Sequence, residues 1–277
     1  MKLLEVNDFF LELKNDNEWK SILKGVSFSL ERGETLGIVG ESGSGKSVTA
    51  LSIMRLIKEK ISRISQGNIL FYPSEQENPI DLIKLPEKEM QKIRGNRIGM
   101  IFQEPMTSLN PVIKCGEQIM EALLLHTSLT TKEAKIRVIE LFNEVMLPRP
   151  EKIFDSYPHE LSGGQKQRVM IAMAMCCNPD LLIADEPTTA LDVTVQKNIL
   201  ELMKNLQKKY GMSIIFITHD LGVVAEIADK VMVLYKGDIV ETGSAQNLFL
   251  NPQHPYTKGL LACRPPLNVR LKYLPTV

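Results

Sequence analysis

The run Gly40-Glu41-Ser42-Gly43-Ser44-Gly45-Lys46-Ser47 has the spacing G-x-x-x-x-G-K-S. That is the pattern of a loop that wraps a polyphosphate. Its glycines let successive backbone N–H groups turn inward, and the start of the following helix adds positive potential. Lys46 is placed to reach the β- and γ-phosphates and Ser47 to ligate Mg²⁺, with Val48 beside them on the first helical turn. A second cradle stands at Leu161-Ser162-Gly163-Gly164-Gln165. There a serine with N-cap chemistry precedes two glycines whose bare backbone admits another chain, and free amides at a helix start form an anion site. One nucleotide has one phosphate tail and needs one cradle. Two in a single chain point to a nucleotide held between two copies, each lending one half.

Leu181-Leu182-Ile183-Ala184-Asp185-Glu186 reads as an apolar strand ending in two carboxylates. Parallel strands deliver their C-terminal residues to the crevice where ligands bind. Asp185 is placed to hold Mg²⁺ through water and Glu186 to polarise an attacking water. Gln103 follows the apolar run Ile98–Phe102, and His219 follows Ser213–Thr218. Each sits at a strand end, where both could face the same γ-phosphate. Alone, a glutamine or histidine in such a place would more often be structural, and Asp192 is equally unremarkable by itself.

The elements that must position these groups are legible in outline. Leu3–Leu13 and Val26–Leu30 alternate like strands, separated by a polar turn at Lys14–Glu18. Glu31-Arg32-Gly33-Glu34 is a tight turn into the buried strand Thr35–Val39, and a helix from Lys46 to about Leu56 completes the strand, loop, helix context that the phosphate motif requires. Gly67–Tyr72 and Ile98–Phe102 read as further strands, with a charged helix at Pro86–Ile93 between them. From Gln103 to about Asn178 the pattern turns helical, with helices expected at Glu117–Leu125, Thr131–Val145 and Gly163–Ala174. After that insertion a βα rhythm returns. Leu181–Ala184, Ser213–Thr218 and Lys230–Tyr235 alternate with helices at Thr194–Tyr210 and Leu221–Ala228, which implies a parallel sheet covered on both faces.

Bulk properties narrow the function classes. The chain has 277 residues, 44% hydrophobic, enough for a large core. Lys plus Arg and Asp plus Glu both number 33. That balance weighs against a nucleic-acid binder, which usually carries a basic excess. No apolar run approaches the roughly 18–20 residues that span a bilayer; the longest is Val169–Cys177. Glu5 and Asp8 fall where a secretory signal needs an apolar segment, so none is expected. The four cysteines, Cys115, Cys176, Cys177 and Cys263, lack C-x-x-C spacing. They read as reduced thiols, with Cys176 and Cys177 as small core residues.

Taken together, the motifs resemble those of the nucleotide-binding subunit of ABC transporters, over about Leu3 to Leu261. By that resemblance Gly40–Ser47 is the Walker A loop and Leu181–Glu186 the Walker B strand. Gln103 is the Q-loop residue, Leu161–Gln165 the signature, Ala190-Leu191-Asp192 the D-loop and His219 the switch histidine. Phe102-Gln103-Glu104-Pro105-Met106-Thr107-Ser108-Leu109-Asn110-Pro111 is similar to the Q-loop of the dipeptide, oligopeptide and nickel importers. So are Tyr157-Pro158-His159-Glu160 and Asn251-Pro252-Gln253-His254-Pro255-Tyr256-Thr257.

The resemblance implies an α/β fold, a P-loop NTPase cassette with an N-terminal antiparallel β part, a mostly parallel core sheet flanked by helices and an inserted helical subdomain. The expected division is a nucleotide-binding core over 1–102 and 179–250, a signature subdomain over 103–178 and an extension over 251–277. It implies an ATPase that uses ATP and Mg²⁺, with Ser47, Gln103 and Asp185 as the magnesium set. Its partners would be a second ATPase subunit, identical or homologous, membrane permease subunits and, indirectly, an extracytoplasmic solute-binding protein, with no nucleic acid. Its place would be the cytoplasmic face of the membrane. Import of peptides or related solutes is expected, export remains an alternative, and a soluble ATPase acting on DNA or ribosomes is the rival from another class.

Two departures stand out. Family members usually place an aromatic after the first strand to stack on adenine, but the aligned position is Leu13. Trp19, the lone tryptophan, is the substitute candidate, beside the reading in which it is a surface turn aromatic. Members of this lineage often continue into a cysteine-rich tail that binds an iron–sulfur cluster. Only Cys263 stands there and the chain stops at Val277, so no cluster is expected, and the abrupt end fits the first half of a tandem protein.

Overall fold

The computed structural model describes residues 1–16, 18–74, 78–103, 108–189 and 192–262. They form two compact units, residues 1–84 together with the chain from Ile215 onward, and Leu85–Ile214. The passage from the second unit back to the first falls inside one strand, β8 (Ser213–Thr218).

In the first unit a four-stranded antiparallel sheet runs in the order β2-β1-β4-β5, from β1 (Lys2–Asn15), β2 (Glu18–Glu31), β4 (Ser62–Phe71) and β5 (Ile80–Asp81). The first hairpin is longer than its apolar alternation predicts. The expected turn at Lys14–Glu18 is mostly strand, with Lys14 paired to Trp19 and Leu13 to Lys20. At that end residues 18–21 are exposed on both faces. With neither face buried, the ladder is held by backbone pairing and leaves no hydrophobic period to read. Trp19 is therefore a strand residue rather than a turn aromatic.

The same unit contains β3 (Thr35–Val39), β9 (Lys230–Tyr235) and β10 (Asp238–Ser244), in the order β10-β9-β3-β8. β3 pairs parallel to β9, and β10 returns antiparallel beside it. All five residues of β3 are buried, as a strand covered on both faces must be. Helix α1 (Lys46–Ile53) follows β3, and α8 (Leu221–Ile227), α9 (Ala245–Leu250) and α10 (Pro255–Ala262) complete the unit. Val39, Val224, Val231, Val233, Leu248 and Tyr256 share one core. The strand and two helices after Asp238 are additional to the elements read from sequence.

The second unit holds two parallel strands, β6 (Ile98–Ile101) and β7 (Leu181–Asp185), in the order β8-β7-β6. Around them are α2 (Glu87–Ile93), α3 (Cys115–His126), α4 (Thr131–Glu144), α5 (Pro150–Asp155), α6 (Gly163–Met175) and α7 (Val193–Tyr210). Thr130 and Glu133 form a reciprocal capping box that starts α4. Ile119, Leu123, Val138, Phe142 and Val169 are buried on the facing stripes of α3, α4 and α6. A polar knot ties α4 to the end of α7: Arg137 donates to Glu144 at 3.1 Å and to the Tyr210 hydroxyl at 3.2 Å, and Lys209 pairs with Glu144 at 3.1 Å. Cys176 is buried as expected. Cys177 is only half-buried, because the chain leaves α6 there, with its thiol 3.7 Å from that of Cys176.

Candidate functional site

The phosphate loop lies in the first unit, between β3 and α1. Gly40 has φ 153° and Gly45 φ 109°, both in the region that favours glycine. A Cβ on Gly40 would fall 2.1 Å from the Leu234 carbonyl oxygen, and one on Gly45 would fall 2.8 Å from the Leu23 side chain. Backbone conformation and space therefore demand the same residue. Lys46 is buried, and its ammonium donates to the carbonyls of Gly40 and Glu41, both at 2.8 Å. Ser47 and Val48 are half-buried on the first turn behind it, while Glu41, Ser42 and Gly43 are exposed.

This loop fits a polyphosphate by its own chemistry. The buried Ser44 hydroxyl has no hydrogen-bond partner. Helix α1 starts at Gly45 without a side-chain cap and without an acidic residue in its first turn. A cation, an orphan hydroxyl and an uncapped helix start call for an anion. His219, in the same unit, follows the fully buried β8 and is exposed at its end. The next residue, Asp220, caps α8.

In the second unit Gln103 and Glu186 come together. Ile98 pairs with Leu181 and Ile101 with Ala184, so the parallel ladder carries Gln103 and Glu186 to matching positions beyond the strand ends. The Gln103 amide donates to the Glu186 carboxylate at 3.2 Å. The Thr189 hydroxyl donates to the same oxygen, Oε2, at 2.9 Å. Thr189 was not among the candidates from sequence; its only signal was proximity to the carboxylates. Asp185 ends the strand, buried, whereas Glu186 leaves it at φ 48°, an unusual conformation for glutamate that turns its side chain out of the strand's alternation. Such backbone strain is concentrated at functional sites.

Ser162 caps α6, accepting from the Gln165 N–H at 3.3 Å, while the Gln165 side chain accepts from the Ser162 N–H at 3.0 Å. Among the described residues, apart from its chain neighbours and its own helix backbone, nothing lies within 4 Å of where a Cβ on Gly163 would stand; on Gly164 it would meet Val195 at 3.3 Å. The glycine turn thus packs beside the start of α7, which Asp192 caps by accepting from the Val195 N–H at 2.9 Å. Ala190 and Leu191 lie outside the described residues. Leu13 and Trp19 are on adjacent strands of the antiparallel sheet. The Arg63 guanidinium stacks 4.8 Å over the indole, which is 38% exposed, so one face of that ring is already covered.

A glycine-cradled lysine loop after a buried strand, in a chain that also carries a strand-end carboxylate held by two donors, defines a P-loop nucleoside triphosphatase. Comparison with known proteins specifies which kind. Residues 23–189 match the family model described as ABC transporter, and residues 240–277 match that of the oligopeptide/dipeptide transporter C-terminal region. The chain belongs to the ABC transporter family, as one of its ATP-hydrolysing subunits. It is 56% identical to the oligopeptide transport ATP-binding protein OppD of Bacillus subtilis over 96% of this chain and 73% of OppD. It is 51% identical to the glutathione import ATP-binding protein GsiA of Escherichia coli K12, again over 96% of this chain but only 42% of GsiA. Among solved structures, the dimeric post-hydrolysis state of the ATP-binding cassette MJ0796 bound to ADP and Pi superposes with TM-score 0.76 at 28% identity, covering 88% of this chain and 99% of that one.

Proposed function

We propose that this chain powers import of peptides or peptide-like small solutes, hydrolysing ATP at pockets that it completes only with a second cassette. The phosphate loop carries the reading: a buried Lys46 between Gly40 and Gly45, where a Cβ would collide with Leu234 and Leu23. Lys46 and the loop amides from Gly40 to Ser47 hold the phosphates. Ser47, Gln103 and, through water, Asp185 are the residues that would hold Mg²⁺, which when bound neutralises charge developing on the phosphates. Glu186, held by Gln103 and Thr189, orients the attacking water and takes up its proton. His219 contacts the γ-phosphate from the end of β8. Leu13 or Trp19 lies against the adenine.

The open approach to Gly163 supports a nucleotide sandwiched between protomers, the Ser162–Gly164 turn of one meeting phosphate held by the other. The solved cassette at 28% identity is described as a dimer. No helix among the described residues is long and apolar enough to cross a membrane. We therefore assign transport itself to permease subunits that this chain docks on from the cytoplasmic face, fed by an extracytoplasmic solute-binding protein. The names of the relatives support the peptide class of cargo. Titration of the purified chain with MgATP tests the site: the wild type saturates and Lys46→Ala does not, and superimposable isotherms refute the phosphate assignment. Unchanged uptake of labelled oligopeptides and glutathione in cells deleted for the gene would refute the cargo class.

A further inference from the structure

The C-terminal segment around Tyr256 reaches the phosphate loop. Tyr256 lies on the first turn of α10, is 6% exposed, and shares the core of Val39, Val231 and Val233. Its ring packs on Tyr235 with centroids 4.2 Å apart. Its hydroxyl accepts a hydrogen bond from the Glu41 N–H at 3.0 Å. Burial pushes the hydroxyl's pKa up, so the group stays neutral at physiological pH. The turn before the helix is fixed in its own right. The two Glu241 carboxylate oxygens accept from the N–H groups of Gln253, at 2.7 Å, and His254, at 3.0 Å. Tyr256 therefore cannot swing away without unmaking a built anchor.

The bond it makes is placed with consequence. The peptide unit joining Gly40 and Glu41 has its N–H on Tyr256 and its carbonyl on the Lys46 ammonium, so it is held from both sides. A phosphate that draws the Lys46 ammonium towards itself weakens the bond to that carbonyl. The peptide is then tethered through its N–H, next to a glycine that has no Cβ to restrain its backbone.

We propose that Tyr256 is a positioning residue for the phosphate loop: its hydroxyl keeps the Gly40–Glu41 peptide in the nucleotide-binding orientation once Lys46 turns to the phosphates. The inference rests on the reading of Gly40–Ser47 as the ATP site. It gives the C-terminal region, which lies beyond the part of the chain matching the ABC transporter model, a direct hand in nucleotide binding.

Tyr256→Phe removes one oxygen and keeps the ring packing. Because the tether matters more with Lys46 displaced, the Kd for MgATP should rise about threefold to tenfold, the worth of one net hydrogen bond. The melting temperature of the nucleotide-free chain should fall by no more than the few degrees that one net hydrogen bond is worth, and amide exchange at Glu41 should accelerate. Wild type, Tyr256→Phe and Lys46→Ala are titrated side by side on the full chain. If Lys46→Ala binds like wild type, the site reading fails and the inference with it. If Lys46→Ala loses affinity while Tyr256→Phe matches wild type, the inference alone is overturned. A lowered melting temperature with unchanged Kd also overturns it, because that is what a purely structural contact gives.

Discussion

Glu186→Gln separates charge from shape at the strand-end carboxylate. Two donors to Glu186 among the described residues, the Gln103 amide at 3.2 Å and the Thr189 hydroxyl at 2.9 Å, converge on the same oxygen, Oε2. A glutamine can turn its carbonyl oxygen to that position and keep both bonds, with its NH₂ where Oε1 stood. The backbone at φ 48° is as tolerable for glutamine as for glutamate. The substitution therefore removes the negative charge and the basicity while keeping these two bonds. Loss of a general base costs about 10²- to 10⁴-fold in rate, whereas the fold should lose almost nothing, with a melting temperature within about 2 °C of wild type. Phosphate release under saturating MgATP measures the first and calorimetry the second. Binding of MgATP should persist, and the ATP-bound dimer should live long enough to elute as one species in size-exclusion chromatography. Turnover within tenfold of wild type would refute the role of Glu186. A large fall in melting temperature would show that the carboxylate charge, not the shape, holds Gln103 and Thr189.

Two further outcomes probe the frame around the site, alongside the Lys46 and Tyr256 variants above. A Cβ at Gly99 would stand 2.2 Å from the Ala174 carbonyl oxygen, where α6 lies on β6. Overpacking of that kind costs about 1–3 kcal/mol, so Gly99→Ala should lower the melting temperature by roughly 3–10 °C; an unchanged transition would refute the contact. Glu144 is pushed up by burial, but hydrogen bonds from Tyr210 and Lys209 and the Arg137 charge outweigh this and hold it below the usual carboxylate range. Its contribution to stability is therefore full above the unfolded value of about 4.3 and is lost as pH falls through the lowered folded value. Wild type and Glu144→Gln should differ in melting temperature at pH 6 and converge towards pH 3, and parallel curves would remove Glu144 from acid stability.

What could be read in advance divides along physical lines. β3, β8 and β9 are short runs with apolar interiors bounded by turns, hydroxyls or charges, and their limits follow from composition. The two cradles are legible because phosphate binding demands glycines and a lysine or serine at fixed spacing. The outer half of the first hairpin was invisible because both of its faces meet solvent. Thr189 and Tyr256 were invisible for a different reason: one is an ordinary residue until its hydroxyl is found against Glu186, and the other stands 215 positions from the peptide it holds. The offset that puts Gln103 beside Glu186 was in principle countable, yet only the parallel register of β6 on β7 says which strands to count from.

The resting place of Lys46 has a bearing on selectivity. An ammonium already engaged by two loop carbonyls is not waiting for any passing anion, so an arriving species must compete for it. Sulfate or inorganic phosphate offers one compact group of oxygens and makes a poor competitor. On the reading proposed above, a triphosphate would span the whole crown of amides as it draws the ammonium away, and so would recover more than it displaces. The loop should accordingly discriminate by reach and not by charge alone.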